Sequence, residues 1–137
     1  MSPGYARLCL PYVAAVCLRR GTVGLKDLSA AALSDPETLG LASRLTVVAD
    51  ANPDPNALAP QRAEIDLAGG PTVACTVAAV LGSPGWPLSP EAARAKFDAC
   101  WRTVPHFPPQ RAMALWNTID GLEGLEDVRA LGTMAAP

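Results

Sequence analysis

The segment that most constrains the fold spans residues 69–103, where a strand-like run turns a sharp corner and enters a helix. The corner reads GSPGWPLS from Gly82 to Ser89, and glycine and proline at this density end any regular element. Ser89 then caps the exposed amides of a helix whose first position is Pro90, where the missing N–H costs nothing. The sequence therefore predicts a strand, a corner and an amphipathic helix in this order.

Two alternating runs form the strands before this corner. Residues 62–67 alternate polar and apolar side chains, and residues 73–79 place valine, cysteine and alanine on one face. Runs of this kind on either side of Gly69-Gly70 predict an antiparallel hairpin with one wet face. The Gly-Gly pair is a turn rather than a phosphate-binding loop, because no helix follows it directly.

The remaining segments predict mainly helices. Residues 5–20 form a helix that Gly21 ends, and Pro11 either kinks this helix or marks its true start. Other helices are predicted over residues 25–33, from Asp35-Pro36 with Asp35 as the cap, from Pro108-Pro109, and over residues 126–131; a strand is predicted over residues 45–49. Residues 50–60 hold three prolines and form a mobile surface loop. This order predicts an α+β fold, with antiparallel strands and helices packed on one side.

Composition limits the possible partners. The 137 residues have the size of one domain and half of them are apolar, but only 5% are aromatic, so the core is thin. The net charge is −2 and no lysines or arginines cluster, which argues against nucleic acid as a partner. The apolar run at residues 8–18 has about 11 residues, against the roughly 20 that a membrane helix needs. We expect a cytoplasmic protein that does not enter membranes.

The cysteines and the single histidine suggest no metal or disulfide chemistry. The four cysteines, Cys9, Cys17, Cys75 and Cys100, form no C-x-x-C pair and each lies in an apolar run. We interpret them as small buried apolar residues in a reducing compartment. Zinc is not expected, because His106 has no partner at ligand spacing.

Three stretches, in this order, carry a family resemblance. The first reads LPYVAAVCLRRG from Leu10 to Gly21. The second runs from Gly82-Ser83-Pro84 through Pro87-Leu88-Ser89 to Lys96-Phe97, and the third runs from Leu115-Trp116 to LEDV at residues 125–128. Together they resemble the C-terminal portion of the MmgE/PrpD family, which includes 2-methylcitrate dehydratase and cis-aconitate decarboxylase. The likeness covers residues 6–132.

The resemblance implies part of a larger enzyme. Family members pair a helical domain with a smaller α+β lid, and the active site lies between them. Residues 1–137 correspond to one lid-type region with the closing helices, and the N-terminal helical domain is absent. The implied chemistry is that of a lyase or isomerase that removes a proton next to a carboxylate, without metal or cofactor. Its acid and base residues come from earlier segments, so we assign no catalytic, cofactor-binding or metal-binding residue and expect the chain to be inactive alone.

Two other interpretations stay open. The chain is also consistent with a non-catalytic remnant or interaction module that keeps the lid fold. It is consistent, finally, with an unrelated α+β binding domain that only mimics the family.

The first helix predicts a partner. Between residues 8 and 18 almost every side chain is apolar, and a helix that is apolar all round must be enclosed on all sides. A thin core cannot enclose it. We therefore expect either a homo-oligomer or a separately encoded helical half.

Individual polar residues are candidates with simpler structural interpretations beside them. Tyr12 could face a substrate, but a helical tyrosine between apolar residues is more simply a core residue with a satisfied hydroxyl. His106 could be a base near neutral pH, but no carboxylate lies near it in sequence.

The charged candidates have equally simple roles. Lys96 and Arg94 could bind a carboxylate substrate, but they lie on the predicted solvated side of their helix with Asp98 and Arg102. Arg19 and Arg20 complement the negative end of the first helix. The acidic cluster near the C-terminus comprises Glu123, Glu126 and Asp127, and we interpret it as a solvated face that caps the last helix.

Overall fold

The computed structural model describes residues 1–54, 56–105 and 107–136. Two compact units, Met1–Ala51 and Asn52–Pro137, make up the chain. The described residues contain six α-helices and one two-stranded antiparallel sheet. The predicted α+β class is confirmed.

Three α-helices form the frame of the first unit: α1 (Pro3–Ala6), α2 (Leu10–Arg20) and α3 (Pro36–Ala42). The predicted helix over residues 5–20 is therefore two helices, and Pro11 lies in the first turn of α2. Of its two predicted roles, marking the true start is the correct one, since the first-turn amides have no intrahelical acceptor. Gly21 ends α2 with a φ of +76°, and its N–H donates to the Cys17 carbonyl at 2.7 Å.

Two short 3₁₀ turns connect α2 to α3. They span Leu25–Leu28 and Ala32–Ser34, in place of the single helix predicted over residues 25–33. The helix is interrupted because Ser29 adopts extended backbone angles, with φ −70° and ψ 155°. The predicted cap of α3 is confirmed: the Asp35 carboxylate accepts the Thr38 N–H at 3.4 Å.

The core of the first unit is small. Ala6, Tyr12, Val16 and Leu33 are buried together, and Cys9 and Leu28 pack against them. Helix α2 also packs on α3, where Thr38 is buried. Only three side chains are almost completely buried and sizeable, so the core is thin, as its composition predicts.

The strand predicted over residues 45–49 is wrong. These residues form no regular element, and all but Leu45 are exposed. A strand needs a neighbour to complete its hydrogen bonds, and no described residue of the first unit is in a strand. The β-branched residues there favour a strand locally, but no neighbouring strand pairs with them.

The predicted hairpin is present in the second unit. Strands β1 (Gln61–Asp66) and β2 (Thr72–Val77) pair antiparallel, with Ile65 opposite Val73 and Ala63 opposite Cys75. In the turn, Gly69 has a φ of +69° and the Gly70 N–H donates to the Leu67 carbonyl at 3.1 Å, as in a type II turn.

The prediction of one wet face for this hairpin is wrong. Both faces are exposed: every residue of β2 is exposed, and in β1 only Ile65 is half-buried. Val73 and Val77 keep 49% and 38% of their surface in solvent, because no described element covers the apolar face.

Helices α4 (Pro90–Trp101), α5 (Pro109–Asp120) and α6 (Arg129–Ala135) complete the second unit. Ser89 caps α4 as predicted, accepting the Ala92 N–H at 3.1 Å, and α5 begins at Pro109 as predicted. The last helix lies later than the predicted residues 126–131. Asp127 accepts the Arg129 N–H at 2.9 Å, so it precedes the helix instead of lying inside it.

Candidate functional site

A pocket opens between α4 and α5 in the second unit. Its volume is about 310 Å³, at the lower end of the range for small-molecule sites. Arg94, Asp98, Trp101, Arg102, Phe107 and Ala112 line it. Arg94, Asp98 and Arg102 follow one another at a spacing of four, so the helix places them in one row along its surface.

Arg94 is held in place on several sides. Its Nε donates to the Asp98 carboxylate at 3.1 Å, and the guanidinium carbon lies 5.3 Å from the Trp116 ring centroid and 6.0 Å from that of Phe97. The Arg94 side chain is 33% exposed and that of Asp98 is 29% exposed, so both are half-buried where the sequence predicted that they face water. The rings of Phe97 on α4 and Trp116 on α5 hold the Arg94 side chain against the protein surface.

Arg102 is the freer of the two cations. It is exposed and forms no ion pair with any residue that the structure describes. The pocket therefore has two guanidinium groups and one carboxylate. Guanidinium groups match carboxylates with paired N–H donors, so the excess positive charge suits a small organic acid.

Aromatic rings form the wall of the pocket and join its helices. Trp101 lies 4.8 Å from Phe107 and 5.9 Å from Phe97 between ring centroids. Phe97 in turn meets Trp116 of α5 edge-on at 5.3 Å. The indole Nε1 of Trp101 is buried and has no acceptor among the described residues. Apart from this N–H group the ring wall is apolar, while the charged row lies along one side.

Arg111 stabilises the far side of this arrangement. Its guanidinium carbon lies 5.1 Å from the Phe107 ring centroid, and Nη2 donates to the backbone carbonyls of Thr133, at 2.9 Å, and Ala136. These bonds satisfy carbonyls at the end of α6, which have no intrahelical donor. Arg111 thus ties α5 to α6 rather than entering the pocket.

Tyr12 is a core residue. It is 1% exposed, and its hydroxyl donates to the Asp27 backbone carbonyl at 2.5 Å. Burial, followed by the negative charge of Asp27, raises the pKa of Tyr12 above its ordinary value. The interpretation as a core tyrosine with a satisfied hydroxyl is confirmed.

Arg19 and Arg20 do more than complement the helix end. Arg19 forms ion pairs with Asp35 and Glu37 and donates to the Thr38 hydroxyl. Arg20 forms an ion pair with Asp27, whose carboxylate also accepts the Gly24 N–H at 2.8 Å. Both arginines are therefore engaged in holding the loop after α2, and neither is free to bind a substrate.

The other charged candidates lie outside the pocket lining. Lys96 is exposed, as predicted. Glu123 and Glu126 are exposed, and Asp127 pairs with Arg129 next to the start of α6. His106 lies outside the described residues.

The cysteines differ from their predicted burial. All four are unpaired; Cys17, Cys75 and Cys100 are exposed and Cys9 is half-buried. Short helices and an uncovered hairpin leave positions at the surface that an apolar run would bury in a thicker core. Within the described residues no three His, Cys, Asp or Glu side chains gather as a metal site would require.

No helix among the described residues has the length and hydropathy required to cross a bilayer.

A comparison with protein families shows what the chain is similar to. The family described as the MmgE/PrpD C-terminal domain matches residues 2–122. The chain belongs to this family. The family resemblance recognised in the sequence is thereby confirmed. Among curated proteins and solved structures, nothing matches.

Two of the MmgE/PrpD motif stretches meet in the structure. The second stretch ends at Phe97 and the third contains Trp116, and these two rings are in contact. Sequence reasoning missed the pocket that they support. The available signal was the four-residue spacing of Arg94, Asp98 and Arg102 beside the aromatic positions of the same helix.

Proposed function

We propose that this MmgE/PrpD C-terminal domain forms part of a 2-methylcitrate dehydratase-like lyase or isomerase, which removes a proton next to a carboxylate. The observation that carries the proposal is the family match over residues 2–122. The pocket between α4 and α5 supports it, because its excess positive charge suits a carboxylate substrate.

The two arginines have different roles in this proposal. Arg94 is fixed by Asp98 and the rings of Phe97 and Trp116, so its position changes little when a ligand enters. Arg102 has no carboxylate partner among the described residues and supplies the free guanidinium group. Removing a proton beside a carboxylate adds negative charge to a group that is already negative. Fixed cations next to that group lower the barrier because they stabilise the enolate-like charge.

The base that takes the proton is not assigned to any described residue of this chain. In the proposal it belongs to the family's helical domain, which faces the lid. Proton abstraction needs both a positioned base and a positioned cation, because the base takes the proton and the cation stabilises the negative charge that forms. The present domain therefore supplies charge stabilisation and enclosure.

A partner surface on the first unit supports this division. Leu8, Leu10 and Leu18, in and beside α2, keep 87%, 58% and 49% of their surface exposed. Full burial of such a side chain contributes about 1.5–3 kcal/mol. We propose that a helical half, or a second copy of the chain, covers these residues. We place the assembly in the cytoplasm, a reducing compartment in which unpaired cysteines are stable.

The alternative is a non-catalytic interaction module that keeps the lid fold. The exposed leucines favour it as much as they favour the enzyme, because both need a covering partner. The two differ in whether the assembled complex turns over a carboxylate.

The experiment is co-expression with a helical half from the same family, followed by an assay for loss of water from a tricarboxylate. The lyase proposal predicts activity from the purified pair and none from either half. In the active pair, Arg102→Gln in the pocket should lower the activity. The matched control is Arg62→Gln in the exposed hairpin, which should leave the activity unchanged. A stable, well-folded pair without activity would favour the interaction module, and activity from this chain alone would contradict the division of roles.

A further inference from the structure

Arg111 connects the last helix to the wall of the pocket. Its guanidinium carbon lies 5.1 Å from the Phe107 ring centroid, and its Nη2 donates to the backbone carbonyls of Thr133, at 2.9 Å, and Ala136. A guanidinium contacts a ring through its face and donates hydrogen bonds in its plane, so both contacts are compatible. Arg111 is half-buried and lies outside the pocket lining, as does α6.

The place of Arg111 in its own helix explains why α6 is needed to hold it. Arg111 lies in the first turn of α5, at the positive end of the helix dipole, where a cation is disfavoured. The carbonyls at the end of α6 carry the opposite partial charge and have no intrahelical donors, so they offset this effect. Helix α6 depends on the contact too, because seven residues are too few to form a stable helix alone.

Phe107 is the pocket residue that this contact reaches. It lies in the connection between α4 and α5, outside both helices, so its ring depends on side-chain contacts for its position. The ring contacts Trp101, at 4.8 Å between centroids, and the Arg111 guanidinium. Both Phe107 and Trp101 line the pocket. A path of direct contacts therefore runs from the end of α6 through Arg111 and Phe107 to the pocket.

We propose that Arg111 is a positioning residue, through which α6 holds Phe107 against Trp101 and sets the affinity of a pocket that α6 does not line. A wall that is fixed before a ligand arrives does not have to be ordered on binding, so the affinity is higher. Displacement of α6 therefore weakens ligand binding from a distance. The matched residues of the family end at 122, so α6 lies beyond them. The effect on affinity rests on the proposed carboxylate site, whereas the effect on the ring contact does not.

Fluorine NMR of the protein labelled with fluorinated tryptophan measures the ring contact without a ligand. The chain has three tryptophans, and Trp101→Phe assigns the signal of Trp101. Arg111→Met removes the charge and the donors but keeps an unbranched side chain. It should change the chemical shift of Trp101 and leave that of Trp86, which is 48% exposed, unchanged. Arg62→Met, at an exposed arginine of the hairpin, is the matched control and should change neither.

Gly132→Pro tests α6 itself, because a proline inside this helix removes a hydrogen bond and clashes with the preceding turn. It should change the chemical shift of Trp101 as Arg111→Met does. Gly132→Ala is its control: an added Cβ meets no atom within 4 Å and alanine favours the helix, so the signal should stay in place. Gly132→Pro combined with Arg111→Met should have no larger effect than Arg111→Met alone, since both changes break one path. A larger effect of the combination would contradict the path through Arg111.

Titration with citrate measures the consequence for binding. Arg111→Met and Gly132→Pro should each raise the Kd of citrate about fivefold, in line with the loss of one aromatic contact, while Arg62→Met and Gly132→Ala should not change it. Circular dichroism establishes that each variant is folded. An unchanged Trp101 signal in Gly132→Pro, or an unchanged Kd where citrate binds, would overturn the proposal. If citrate does not bind the wild type, the proposed function fails, and the Trp101 signal alone decides whether α6 positions the wall.

Discussion

The Tyr12 hydroxyl donates a hydrogen bond to the Asp27 backbone carbonyl at 2.5 Å, and this bond joins α2 to the 3₁₀ turn that follows it. The Asp27 carboxylate accepts the Gly24 N–H and pairs with Arg20, so the same residue holds the loop from two directions. Asp27 is 6% exposed. The first unit therefore depends on a small polar cluster as well as on its thin apolar core.

Tyr12→Phe should lower the free energy of unfolding by about 1 kcal/mol. The ring still fills its place in the core, but the Asp27 carbonyl loses its donor in a site that excludes water. The measurement is urea denaturation followed by circular dichroism. Tyr5→Phe is the control, because Tyr5 is 64% exposed and its change should be smaller than about 0.5 kcal/mol. Equal stability of Tyr12→Phe and the wild type would show that this hydrogen bond contributes nothing.

Acid should destabilise the first unit through Asp35. The Thr38 hydroxyl, which donates to this carboxylate at 2.6 Å, and then Arg19 lower the pKa of Asp35 from 3.8 to about 2. A carboxyl whose pKa is lower in the folded state stabilises the fold above its ordinary pKa, and this contribution is lost as the pH falls from about 4 to about 2. We expect the Tm of the wild type to fall across this range.

Asp35→Asn should remove the part of this pH dependence that comes from Asp35. Its Tm should lie below that of the wild type at pH 5 and approach it near pH 2. Glu126→Gln changes an exposed residue, and its Tm should fall between pH 5 and pH 2 by as much as that of the wild type. If the Tm of Asp35→Asn also falls by as much as that of the wild type, the contacts of Asp35 with Thr38 and Arg19 do not stabilise the fold.

Trp116→Ala should destabilise the second unit by about 2 kcal/mol, because Trp116 contacts both Phe97 and Arg94 of α4. Chemical denaturation measures the effect. Trp86→Ala removes an equal side chain that is 48% exposed, and it should cost less than about 0.5 kcal/mol. A similar loss of unfolding free energy in both variants would mean that the ring contacts between α4 and α5 do not stabilise the second unit.

Local signals in the sequence predicted the ends of elements well. Ser89 and Asp35 cap their helices and Gly21 ends α2, because each acts on backbone groups only a few residues away. The hairpin was predicted for the same reason, from the Gly69-Gly70 turn and the alternation on either side. Such interactions need no knowledge of the rest of the fold.

Non-local partners explain what the sequence did not predict. The run at residues 45–49 has strand propensity but no neighbouring strand in its unit, and the apolar face of the hairpin has no described cover. The pocket depends on contacts between α4 and α5. The spacing of Arg94 and Asp98 predicts a shared row on α4, but only the structure places Trp116 against it.

Titration with citrate, followed by amide NMR, tests whether this domain itself binds a carboxylate in the pocket between α4 and α5. We expect saturable shifts of the amide signals around Arg94, Trp101 and Arg102. Arg102→Gln should weaken binding about tenfold or more, since a hydrogen bond to a charged group is lost, while Arg62→Gln should bind like the wild type. An absence of saturable shifts, or equal affinity of Arg102→Gln and the wild type, would contradict binding in this pocket.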